Sequence, residues 1–147
     1  MSELNSNKPV LVVGGGPSGL AAAHSLATFG QPCVLVEKEE TLGGAPILEG
    51  YAKLVPSGEW ASDAIGGMVT RVEESEAVEV VTGTTVSEFK GEAGAFRATL
   101  GNGRTLDVSG AILCTGFTHF DSANKPEWGF GTDPDVVTTS QVEQMIS

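Results

Sequence analysis

The stretch Pro9-Val10-Leu11-Val12-Val13-Gly14-Gly15-Gly16-Pro17-Ser18-Gly19-Leu20-Ala21-Ala22-Ala23 decides the fold. Its apolar run, 9–13, has no polar alternation, which is the pattern of a strand covered on both faces, as in a parallel sheet. A glycine-rich turn follows. Then comes a helix of small residues that continues through Leu26 and Ala27 and is terminated by Gly30. A second apolar strand, Cys33-Val34-Leu35-Val36, ends at Glu37, 18 positions after Gly19. Strand, glycine turn, helix, strand and terminal acid form the pattern of a dinucleotide-binding unit.

Each part of that pattern has a physical task. Gly14 permits the tight turn, and Gly16 leaves out a side chain so that the backbone can approach a pyrophosphate. Gly19, helped by Ala23, lets helix and strand pack closely. The loop as a whole, including Gly15, Pro17 and Ser18, brings backbone N–H groups and the positive end of the helix dipole to the phosphates. Glu37 is placed to accept hydrogen bonds from ribose hydroxyls, and its charge disfavours the 2′-phosphate of NADP. The competing structural reading is a glycine turn in an α/β protein without a ligand.

The remainder of the composition excludes several classes. The chain has 147 residues, the length of one ordinary domain, and its 19 acidic against 8 basic residues give a net charge of −11. That charge opposes binding to nucleic acid or to anionic membranes. No apolar run approaches the roughly 18–20 residues that span a bilayer, so no direct membrane insertion is expected. The segment 1–8 reads as a loose polar tail without the features of a signal peptide. Cys33 and Cys114 stand alone, so no metal site is expected, and two separated thiols suggest a reducing cytoplasm.

Further along, Pro46, Gly50, Pro56 and Gly58 argue for an irregular excursion over 45–60. Ala61, Ile65, Met68 and Val72 then fall at helical spacing, interrupted by Gly66-Gly67, a pair that a close neighbour or ligand would explain. From Val78 the pattern becomes short strands: 78–81, 84–89 broken by Gly91 and Gly94, a segment through Phe96, Ala98 and Leu100, and a return strand 105–108 after the Gly101-Asn102-Gly103 turn. Ala111-Ile112-Leu113-Cys114 is again wholly apolar and ends in Thr115-Gly116. After a loop-like stretch, Ser140 is the expected N-cap of a short helix reaching Met145 and Ile146.

FAD and NAD share the opening fingerprint. The sequence after Glu37, namely Lys38-Glu39-Glu40-Thr41-Leu42-Gly43-Gly44, resembles that of flavoproteins with two dinucleotide-binding domains, and Cys114-Thr115-Gly116 resembles their Ala-Thr-Gly signature. The region Val86 to Phe96, the run 110–117, Phe120-Asp121, Lys125-Pro126-Glu127-Trp128-Gly129-Phe130-Gly131 and Val136-Val137-Thr138-Thr139 resemble the A subunit of heterodisulfide reductase and its counterpart in quinone-interacting membrane-bound oxidoreductase. The likeness covers nearly all of 9–147. It implies an α/β Rossmann-like domain over 9–147, with a central parallel sheet and a small antiparallel three-strand insertion.

The resemblance further implies FAD as cofactor and electron transfer within an oxidoreductase complex. It assigns the pyrophosphate to the glycine loop, the ribose to Glu37 beside Lys38, the adenine to the backbone around Val86, and the path toward the flavin to Gly43, Gly44, Thr115 and Gly116. Two departures stand out. Residues 45–75 lack the family's cysteines, and the NAD-type domain with its returning segment is absent. Redox partner subunits are therefore expected to supply the missing half and any iron–sulfur clusters, and a homo-oligomer is a further option. The alternative functions are a non-catalytic adenine-nucleotide-binding or assembly subunit, and a piece of a longer flavoprotein. Catalytic residues are not assigned. Cys33 is expected to be buried, Cys114 packed, and His24 on the surface. His119 is a candidate proton donor near the flavin edge, and Trp60 and Trp128 are candidates for packing or stacking.

Overall fold

The computed structural model describes residues 8–147, so apart from Lys8 the expected tail lies outside the described residues. The opening pattern folds as read. Strand β1 (Val10–Val13) leads into helix α1 (Pro17–Thr28) and returns as β2 (Cys33–Val36). A single turn, α2 (Ala45–Leu48), precedes helix α3 (Ala61–Glu73), which leads to β3 (Val78–Val81). Three strands, β4 (Val86–Glu92), β5 (Ala95–Leu100) and β6 (Thr105–Val108), are followed by β7 (Gly110–Leu113), and the chain closes with α4 (Thr139–Ile146).

The strands form two sheets. One is parallel, in the order β3-β2-β1-β7, and the other antiparallel, in the order β4-β5-β6. Period-two alternation along the parallel strands builds a core on each face. Val12, Cys33 and Leu35 pack with Leu20 and Ala23 of α1 and with Ile65 and Val72 of α3. The opposite face, Leu11, Val34 and Val36, packs with Ala98, Leu100, Leu106 and Val108 of the antiparallel sheet. The result is three layers: helices, parallel sheet and antiparallel sheet. At one edge of the antiparallel sheet, Arg104 grips both carboxylate oxygens of Glu79 on β3, holding that carboxyl below its ordinary pKa.

Three local expectations change. Gly91 does not break its strand. Its backbone, at φ 119°, continues the ladder opposite Phe96, and an added Cβ would strike the Ala95 carbonyl. The cap of α4 is Thr138 and not Ser140, because Thr138 completes a reciprocal capping box with Gln141. Gly66 has no neighbour within 4 Å of a would-be Cβ and Gly67 meets only the end of Arg71 at 3.7 Å, so no close packing partner explains the pair. Substituting both by alanine is expected to raise stability by roughly 1 kcal/mol per site, read as a higher denaturation midpoint at unchanged slope.

Candidate dinucleotide site

The parallel ladder sets the site. Gly14 N–H bonds to the Val36 carbonyl, Glu37 N–H to Val81, and Cys114 N–H to Val13. The carboxyl ends of β1, β2 and β7 therefore finish at one level, with the Gly14 turn in the middle, Glu37 on one side and Cys114-Thr115-Gly116 on the other. A cleft of about 770 Å³ opens beyond them, at the place where open α/β sheets bind ligands.

The glycine loop is shaped by its neighbours. Gly14 has φ 105°, and a Cβ there would collide with the Cys114 carbonyl. A Cβ on Gly19 would strike the Gly14 carbonyl, so the absence of that side chain is what lets α1 lie against β1. Gly16 differs. Its backbone angles, φ −75° and ψ −177°, suit any residue, and a Cβ would make only an ordinary 3.7 Å contact with Gly44 Cα. No packing among the described residues demands a glycine at 16, and the space it leaves belongs to the cleft.

Helix α1 begins at this loop with Pro17 and has neither a side-chain cap nor an acidic residue in its first turn. Its first N–H groups and the positive end of its dipole are thus left for an anion. Among the described residues, Lys38 is the one base lining the cleft, and it already sits 3.4 Å from Glu39 on the surface. An anion placed here would therefore meet backbone donors and no free side-chain cation among the described residues.

Glu37 is buried, with 6% of its surface exposed. One carboxylate oxygen accepts from Gly15 N–H at 2.5 Å and the other from Glu39 N–H at 3.0 Å. Sequence reasoning assigns Glu37 to a ribose alone. The structure adds a second task, fixing the glycine loop, and each oxygen keeps a lone pair for a sugar hydroxyl.

Of the sequence-derived positions, Gly14, Gly16, Pro17, Ser18, Glu37 and Lys38 line the cleft, as do Gly44, Val86, Thr115 and Gly116. Gly15, Gly19 and Gly43 stand behind it. Gly43 donates its N–H to the Gly15 carbonyl and faces Ile47 and Ile65, so of the glycine pair only Gly44 borders the passage. Sequence reasoning missed Glu49, Tyr51 and Phe117, which also line the cleft. Glu49 and Tyr51 sit in a segment without periodicity or motif, and Phe117 ends the 110–117 run without a chemistry of its own to mark it.

Cys33 is buried and its thiol points at the Ala23 carbonyl, while Cys114 borders the cleft. Burial pushes both thiols above the ordinary cysteine pKa, which opposes a reactive thiolate. His24 lies on the exposed side of α1. Trp60 and Trp128 are surface residues, each with a lysine over its ring. Among the described residues no cluster suits a metal ion, and no helix is long and apolar enough to cross a membrane.

Residues 9–103 match the FAD dependent oxidoreductase family. The chain belongs to that family. A curated relative from Methanopyrus kandleri, an iron–sulfur A subunit of CoB–CoM heterodisulfide reductase, is 30% identical over 88% of this chain and 20% of its own length. A second, the A subunit of the ferredoxin/F(420)H(2)-dependent CoB–CoM heterodisulfide reductase of Methanosarcina acetivorans, is 22% identical along the whole of this chain and 29% of its own. The chain thus spans only a fifth to under a third of these relatives.

Among solved structures, the thioredoxin reductase of Lactococcus lactis aligns with 84% of the chain at TM-score 0.66 and 19% identity, covering 41% of that structure. The L-proline dehydrogenase of P. horikoshii aligns with 74% of the chain at TM-score 0.66 and 21% identity, covering 22% of that structure. These likenesses support the Rossmann-type architecture. The chain is homologous to the FAD-binding region of the heterodisulfide reductase A subunit, and FAD is the cofactor that family and cleft together indicate. The open helix terminus, the space left at Gly16 and the acid at the end of β2 fit that group.

Proposed function

We propose that this chain is the FAD-holding part of an electron-transfer assembly of the heterodisulfide reductase type. Residues 9–147 act as its cofactor domain. The glycine loop and the N-terminus of α1 hold the pyrophosphate, and Glu37 holds the adenosine ribose, with the Val86 backbone beside the adenine. Gly44, Thr115 and Gly116 border the path to the ring. A bound flavin supplies the ability to accept and release electrons. The protein supplies placement, and its phosphate contacts come from backbone dipoles because the described residues of the cleft offer no unpaired cation.

Partner polypeptide, or further domains of the kind that make the relatives longer, completes the flavin site and carries any iron–sulfur clusters. Two free cysteines accord with a reducing, cytoplasmic setting.

The observation that carries the reading is Gly16, a glycine that the protein's own packing does not require. Gly16→Ala is expected to leave the fold intact, and even to stabilise it by about 0.4–1 kcal/mol through the unfolded chain. FAD affinity should fall at least about tenfold, since the new methyl occupies the cofactor's approach. Equilibrium titration of flavin fluorescence alongside chemical denaturation checks both. An alanine variant that binds FAD as tightly as the parent would remove the support for the assignment.

A further inference from the structure

At β7 the sequence and the structure disagree. Ala111-Ile112-Leu113 reads as a strand covered on both faces. Yet β7 is the last strand of its sheet among the described residues, and all three residues are exposed, Leu113 by 75%. The backbone on that side is open as well. Cys114 N–H bonds to Val13 on β1, so by the alternation of the ladder the N–H and carbonyl groups of Ala111 and Leu113 point away from β1. No strand pairs with them among the described residues. Edge strands are ordinarily protected by charge, proline or a bulge. The opposite edge, β3, carries Glu79 tied to Arg104, whereas Gly110–Leu113 has neither charge nor proline and pairs with β1 in unbroken register. Beside β7 an apolar groove of about 490 Å³ opens between the two sheets. Leu11, Val13 and Leu113 line it from the parallel sheet, and Val86 lines it from the antiparallel sheet with Phe89 and Phe96, whose rings stack at 4.7 Å.

We propose that this edge receives a β-strand of a partner polypeptide, uncharged along the groove and with apolar side chains at alternate positions. The strand's backbone pairs with Ala111 and Leu113, and its alternate side chains fill the groove against Phe89 and Phe96. β7 then becomes the interior strand that its sequence describes. The occupant is a strand and not a small apolar molecule, because a small molecule fills the groove and leaves the edge N–H and carbonyl groups unpaired. A second copy of this chain suits the edge poorly. Two copies bring together two charges of −11, and the β7 side chains that face the groove, Ala111 and Leu113, already line it. The curated relatives carry most of their length outside the part that this chain matches, so further polypeptide accompanies this fold in them. The inference goes beyond the cofactor reading and does not use it, since neither edge nor groove depends on a ligand in the cleft.

The test uses the full chain without flavin and a capped synthetic heptapeptide. The peptide has valine at alternate positions, threonine between them and lysine at both ends to suit the acidic chain. Amide hydrogen exchange followed by NMR reads the edge directly. In the parent alone, the N–H groups of Ala111 and Leu113 should exchange at least about tenfold faster than that of Cys114, which β1 holds. Peptide at about 1 mM should slow both at least about tenfold. Ala111→Pro removes an outward N–H without costing the β1 ladder a bond, so it should keep the parent's denaturation midpoint and abolish this protection. Leu113→Lys, which sets a charge at the mouth of the groove, should weaken peptide binding at least about tenfold and serves should the proline variant not fold. Slow exchange of Ala111 and Leu113 in the parent alone overturns the proposal, because the edge is then covered by this chain or by a second copy, which sedimentation distinguishes. No protection by the peptide overturns it, as does a peptide that binds while both amides stay open, or one whose binding neither variant weakens. With no flavin present, failure of the FAD reading leaves all of these outcomes unchanged.

Discussion

Gly19→Val is expected to abolish FAD binding and to destabilise the protein by about 3 kcal/mol or more, the range of overpacking against a neighbour that cannot yield. The neighbour is backbone. A Cβ at 19 would strike the Gly14 carbonyl, would come within 3.0 Å of the Gly14 carbonyl carbon, and would crowd the Cys114 side chain. Relief requires α1 to lift from β1, which withdraws its first N–H groups from the cleft and opens the core under Leu20 and Ala23. Chemical denaturation should show a lower midpoint, and the purified variant should carry no visible flavin absorbance. A midpoint equal to the parent's would mean that helix and strand do not meet as described. The contrast with Gly16→Ala is informative, because the fold demands one glycine of the motif and makes no demand for the other.

Replacing Glu37 by alanine is expected to cost about 2–4 kcal/mol of stability, since it strands two backbone donors that the carboxylate now satisfies. Gly15 N–H lies in a buried setting and Glu39 N–H in a partly buried one, and neither has another acceptor within the loop. FAD affinity should drop by at least about tenfold, from the lost sugar contact and from a loosened loop together. Comparing binding with unfolding separates the two roles. A ligand contact alone predicts unchanged stability without FAD, whereas the hydrogen bonds to Gly15 and Glu39 predict a deficit in the ligand-free protein.

The parts legible in the sequence are those whose constraints lie close together along the chain. The run from Pro9 to Glu37 writes its fold in local terms: an apolar strand, glycines where backbone must meet backbone, a helix of small residues and a second strand. The Gly101-Asn102-Gly103 turn and the β7 run are equally local. What escaped was tertiary. Gly43 and Gly44 are adjacent and chemically identical, yet one faces Ile47 and the other Gly16, a difference only the packed structure expresses. The candidate cap at Ser140 lost to Thr138 because Gln141, three residues further on, reaches back to it. Glu49, Tyr51 and His119 meet across as many as 70 sequence positions, joined by a fold that no window of neighbouring residues contains.

The side-by-side pairing of β1 and β7 also has a meaning in time. Ser109 reaches back to the Pro9 carbonyl across 100 residues, and the wall against which Gly14 turns is the carbonyl of Cys114. On a ribosome the glycine loop emerges early but has nothing to lean on until β7 has followed it. The most recognisable part of the chain therefore takes its shape only once β7 has joined it. Such long-range closure slows folding, and it makes the cleft wait on the pairing of β7 with β1, so cofactor capture cannot precede that pairing.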